Sequence, residues 1–118
     1  MNSEDLKQRT KRMSLAVFAL TANVRSSRES DVIIRQLIRS ATSVAANYRA
    51  ACKARSRSDF INKIGIVEEE ADETSLWVEY LIDLKFVGEQ DARPLWKEVN
   101  ELVAIFAASA ITAKRNKK

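Results

Sequence analysis

A chain of 118 residues, 46% hydrophobic and 31% charged, with two glycines and one proline, has material for one globular domain and almost none for hairpins. The absence of histidine and a single cysteine, Cys52, exclude an imidazole base, a Cys–His pair, an intrachain disulfide and zinc sites built on those ligands. A net charge of +4 leaves polyanion binding open, and any chemistry would fall to carboxylates, lysines or hydroxyls.

Taken in chain order, the sequence opens on MNSEDLKQRTKR, a charged start without the apolar stretch of a secretory leader. Apolar residues at three-and-four spacing then predict four helices, and no segment alternates strictly enough for a strand. The first helix, about 4–25, carries Leu6, Met13, Val17, Leu20 and Val24. The second, about 29–54, carries Ile34, Leu37, Ala41, Val44 and Tyr48, after a capping box expected at Ser26-x-x-Glu29. The third, about 57–87, carries Phe60, Ile64, Val67, Ala71, Val78 and Leu81, with a box at Ser56-x-x-Asp59 and Gly88 expected as its left-handed stop. The fourth, about 90–114, carries Leu95, Val99, Leu102, Phe106 and Ala110, with Pro94 expected in its first turn and a frayed tail at 115–118.

Short connections predict an all-α, antiparallel up-down-up-down four-helix bundle formed by residues 1–118 as a single domain. The most apolar run, LVAIFAASAITA at 102–113, makes about 18 Å of helix against a bilayer core of about 30 Å, so no membrane partner and a cytoplasmic location are expected. The segment LAVFAL, 15–20, is apolar almost all round, and Ile33, Ile38, Leu76, Trp77, Trp96 and Val103 flank their stripes. Either a subunit interface covers the surplus, or the core is wide and a few apolar residues stay exposed.

The second helix holds a polar line, Gln36, Ser40, Ser43 and Asn47, beside a basic one through Arg35, Arg39, Arg49 and Lys53. If the second and third helices pair about a turn near residue 55, position i faces roughly 111 − i, which sets this stripe level with EEEADE at 68–73. Buried hydroxyls and amides need such partners, since an unpaired one costs about 1–3 kcal/mol. A hard-cation site among Glu69, Glu70, Asp72 and Glu73 is the sharper alternative to a solvated or salt-bridged acidic face. No catalytic, cofactor or metal residue is assigned.

In an up-down bundle one end gathers Lys7, Arg9, Lys11, Arg12, Arg49, Lys53, Arg55, Arg57, Lys63, Lys114, Arg115, Lys117 and Lys118. Only Glu4, Asp5 and Asp59 oppose these thirteen, so the end would carry +10 and the remainder −6. Such a pole suits binding of structured RNA or other nucleic acid through its backbone, while its blander reading is solubility and helix-end electrostatics. No aromatic residue is interleaved for base stacking.

The run QLIRSATSVAANYRAACKARSRSDFINKIGIVEEEADETSLWVEYL, 36–81, resembles the four-helix-bundle family associated with intervening sequences in 23S ribosomal RNA genes. The residues that carry the resemblance are Gln36, Arg39, Ser40, Ser43 and Asn47, then Asp59, Phe60, Lys63, Ile66, Glu70, Ala71, Glu73, Thr74 and Trp77. Tyr80 stands where the family usually has Leu, and Ala51 where it often has Glu. The resemblance implies a ring-like homopentamer with no enzymatic activity and no cofactor. It is also similar to the accessory variability protein of diversity-generating retroelements, which implies nucleic acid, or a protein partner such as a reverse transcriptase. The alternative is a protein–protein interaction or structural assembly module without nucleic-acid binding.

Overall fold

The computed structural model describes residues 1–116, so the tail positions Lys117 and Lys118 lie outside the described residues. Four helices follow one another: α1 Ser3–Thr21, α2 Arg28–Cys52, α3 Arg57–Asp83 and α4 Glu89–Arg115. They form a rod of 50 × 23 × 21 Å, with no strand among the described residues. α2 packs on α1 and α3, and α4 on α3 and α1, which leaves α1 and α3 on a diagonal of the bundle. As numbers rise along α2 they fall along α3, since Ser40 meets Thr74 and Ser43 meets Glu70. Among the described residues no helix is long and apolar enough to cross a membrane.

The stripes predicted from spacing are buried except at Leu20, Val24, Ile34 and Phe60, which are half-buried. Met13, Val17, Leu37, Ala41, Val44, Ile64, Val67, Ala71, Val78, Leu81, Val99, Leu102 and Phe106 form one core cluster with their neighbours. Tyr48 stacks at a tilt on Phe106, 5.4 Å between centroids, and closes the core near the end of α2. Burial, and then the neighbouring Cys52, push the Tyr48 hydroxyl well above the usual phenol range. Seven small polar residues also lie inside, and three of them, Thr10, Ser14 and Thr21, return their hydroxyls to carbonyls three or four residues back.

The helix ends correct several expectations. α2 is capped by Ser27, not Ser26: Ser27 Oγ accepts from Ser30 N, and Ser30 Oγ accepts from Ser27 N while donating to the Arg25 carbonyl at 2.9 Å. Ser30 is buried and can serve the cap, whereas Glu29 is exposed and pairs with Arg28; Ser26 instead binds Asp31. Ser56 caps α3 as expected, but the Asp59 carboxylate reaches back to Arg55 N, completing no box on Ser56 itself.

α3 ends earlier than residue 87, and Gly88 is not its left-handed stop. Lys85 takes that conformation at φ 63°, with Phe86 N bonded to Leu81 O at 2.9 Å and Lys85 N to Ile82 O at 3.0 Å. Gly88, at φ −71°, is the N-cap of α4. Pro94 is therefore the sixth residue of α4 rather than part of its first turn, and its missing N–H leaves the exposed Gln90 carbonyl without a helical donor. Arg115 still belongs to α4, so the helix continues into the expected tail.

Candidate nucleic-acid interface

The turn between α2 and α3 and the end of α4 meet at one end of the rod. Arg57 donates to the Asn116 carbonyl, where α4 ends. Around this junction stand Arg49 in the last turn of α2, Lys53 at its C-cap, Arg55 in the turn, Lys63 on α3, and Lys114 and Arg115 in the last turn of α4. With Arg57 they are seven basic residues, and the only acid in 45–63 and 107–116 is Asp59. Two helix C-termini end here, and their partial negative charge favours these cations locally.

Two of these seven positions are already engaged. Lys63 Nζ binds Asp59 at 2.7 Å, one turn back. That bond, and then the Arg55 amide, hold the Asp59 carboxyl below the usual carboxylate range. Arg57 is spent on the α4 carbonyl. Arg49, Lys53, Arg55, Lys114 and Arg115 have no ion-pair partner among the described residues, and all five are exposed.

The start of α1 does not join this end. Arg9 Nε and Nη2 bind Glu98 at 2.6 and 2.7 Å, and Nη2 also reaches Glu101 at 2.7 Å. Glu98 lies seventeen residues before Arg115, roughly 25 Å along α4 at about 1.5 Å per residue. α1 has only 19 residues against 25 to 27 in the other helices, so Lys7, Arg9, Lys11 and Arg12 fall alongside the middle of the bundle. The expected single pole of thirteen cations is thus divided. The Glu98 hydrogen bond is the chief cause that raises the Arg9 guanidinium pKa, against the opposing effect of burial. Sequence reasoning missed Glu98 and Glu101, although their i, i+3 spacing marks one acidic face of α4.

The polar line of α2 faces inward along α3. Arg39 binds Glu70 at 3.1 Å and Glu73 at 2.8 Å, and its Nε donates to Gln36 Oε1 at 3.3 Å. Ser43 Oγ donates to Glu70 Oε2 at 2.9 Å, and Asn47 Nδ2 donates to Ser43 Oγ at 2.9 Å and its carbonyl at 3.0 Å. Fully buried Thr74 donates to Ser40 Oγ at 2.9 Å, and Ser40 donates to the Leu37 carbonyl. The Glu70 hydrogen bond is the largest influence raising the Arg39 pKa. A similar seam joins α3 to α4, with Ser75 on Asn100 at 3.1 Å and Trp96 Nε1 on Glu79 at 3.0 Å. Phe60 is half-buried against the core, while Trp77 stacks on Tyr80 and its buried Nε1 has no hydrogen-bond partner among the described residues.

The acidic run therefore splits by helix face. Glu70 and Glu73 serve Arg39, while Glu69 and Asp72 point outward without a partner among the described residues. No group of three or more carboxylate or thiol side chains among the described residues is arranged to hold a metal ion.

Four helices joined by a polar α2/α3 seam, with one cationic end, define a small helical-bundle protein. Its comparison with known proteins is specific. The model of the family described as 23S rRNA-intervening sequence protein matches residues 3–108, and the chain belongs to that family. It is similar to a crystal structure from Bacteroides thetaiotaomicron VPI-5482, a protein of unknown function from the S23 ribosomal protein family. The two share 28% identity at a TM-score of 0.83, over 93% of this chain and 98% of the other. No relative matches among curated proteins.

Proposed function

We propose that this protein is a non-enzymatic bundle, its helices antiparallel in up-down-up-down order, that assembles as a ring-like homopentamer in the cytoplasm and binds structured RNA. The observation that carries the binding is the end around Arg49, Lys53, Arg55, Lys114 and Arg115, five exposed cations with no ion pair among the described residues. Cations already paired within the chain would have to exchange partners to meet a phosphate; these five would not. A cyclic assembly presents equivalent ends of its subunits together, which multiplies the charge a folded RNA meets. Contacts of this kind recognise backbone and shape, as an A-form helix requires.

Fluorescence anisotropy with a labelled 23S ribosomal RNA fragment and an unrelated RNA duplex tests the reading. The five phosphate contacts of one subunit predict that affinity falls at least roughly 500-fold between 50 and 200 mM salt. Charge reversal at Lys53 and Arg55 is expected to weaken binding at least tenfold, and reversal at Lys85 and Arg93, away from this end, less than twofold. No binding at low salt, or equal effects of the two pairs, refutes the proposal.

A further inference from the structure

α1 and α3, the diagonal helices, each expose apolar residues in line with unpaired charges of opposite sign. On α1 the outer row is Lys7, Lys11, Leu15 and Phe18, with Leu15 55% and Phe18 46% exposed. On α3 it is Glu69, Asp72, Leu76 and Tyr80, with Leu76 45% and Tyr80 43% exposed. Spacings of four, four and three on α1, and of three, four and four on α3, keep each row on one helical face. Neither lysine and neither carboxylate has an ion-pair partner among the described residues. Both rows run from charged to apolar in the direction of the chain.

We infer that copies of this chain associate head to tail, the outer row of α1 on one copy docking along the outer row of α3 on the next. Laid side by side in the same direction, the two rows set lysines against carboxylates and Leu15 and Phe18 against Leu76 and Tyr80. An α1–α1 or α3–α3 contact in that alignment would oppose like charges, so the complementarity favours two different faces. Because α1 and α3 do not pack on each other, every copy retains one of each face after docking, and a head-to-tail contact of this kind makes a ring where the rotation between copies closes. The contact also gives Lys7 and Lys11 a role after the structure removes them from the basic end. It rests on the assembly part of the function proposed above, not on RNA binding.

Sedimentation velocity at micromolar concentration tests the inference with two variants, Lys7→Glu/Lys11→Glu and Glu69→Lys/Asp72→Lys. All four positions lie on the bundle's outer rows, and unchanged far-ultraviolet helicity and melting at high salt verify folding. If either double variant loses helicity, Lys11→Glu and Asp72→Lys replace the doubles. Each variant alone is expected to associate at least tenfold more weakly than the parent. An equimolar mixture is expected to recover association, because one variant's intact α1 row meets the other's intact α3 row. Either variant alone associating like the parent, or a mixture that stays dissociated, overturns the face assignment. A monomeric parent overturns assembly itself, while whether RNA binds at all is read separately by anisotropy.

Discussion

Replacing Glu70 tests whether the α2/α3 seam is held by charge-assisted hydrogen bonds or only by shape. Its side chain is 15% exposed and accepts from Arg39 at 3.1 Å and from Ser43 at 2.9 Å. A hydrogen bond to a charged group contributes about 1.5–3 kcal/mol, but Arg39 is half exposed and keeps Glu73, so its share is reduced by solvent screening to about 0.5–1 kcal/mol. Ser43 retains Asn47 as a neighbour but loses its acceptor, which adds about 1.5 kcal/mol. Glu70→Ala is therefore expected to destabilise by about 2–2.5 kcal/mol, and Glu70→Gln, which keeps an acceptor for Ser43, by about 0.5–1 kcal/mol. Urea unfolding at one fixed protein concentration measures both differences and removes the concentration dependence that assembly would impose. A double-mutant cycle with Arg39→Ala should give a coupling near 0.5–1 kcal/mol that shrinks in high salt. Equal costs for Ala and Gln, or a coupling of zero, would refute the charge-based account of the seam.

Other perturbations follow from single contacts. Arg9→Ala removes the partner of half-buried Glu98 and is expected to destabilise by about 2 kcal/mol in the same unfolding assay, with little effect on RNA affinity. Lys85→Gly relieves a left-handed residue that carries a side chain and should raise stability by about 1 kcal/mol, read as a higher melting temperature. Asp59 has a lowered folded-state pKa, so its contribution is present above the unfolded value of about 3.9 and is lost as pH falls through the folded one. The parent and Asp59→Asn should thus differ at neutral pH and converge in acid, as followed by melting curves between pH 2 and 7.

Why the faces were legible in the sequence and the axial positions were not follows from how each is determined. Burial selects residues at three-and-four spacing, so Val44, Val67 and Leu102 could be placed inward from periodicity alone. The pairing of Arg39 and Ser43 with the acidic run was also accessible, because a short turn fixes the level of α2 against α3. α1 is different: it ends at Thr21 and has only 19 residues, and where it lies along α4 depends on tertiary packing that no local pattern states. Lys85 was hidden for a related reason. Glycine preference pointed to Gly88, but burying Phe86 and Val87 against the core requires the chain to turn three residues sooner.

That axial offset changes what the charges can do. An unpaired cation can approach a phosphate without breaking an internal bond, whereas Arg9 must first surrender Glu98 and Glu101. Arg57 and Lys63 are likewise engaged, with Asn116 and Asp59. Five cations at the end of one chain would make a modest site, and a repeated set of five in the proposed assembly a strong one, because counterion release grows with the number of phosphates neutralised. Assembly and binding should therefore be coupled. Variants that disrupt the α1/α3 contact while preserving every residue at the basic end are expected to bind RNA with a shallower salt slope than the parent. An unchanged slope in a demonstrated monomer would mean that one end acts alone.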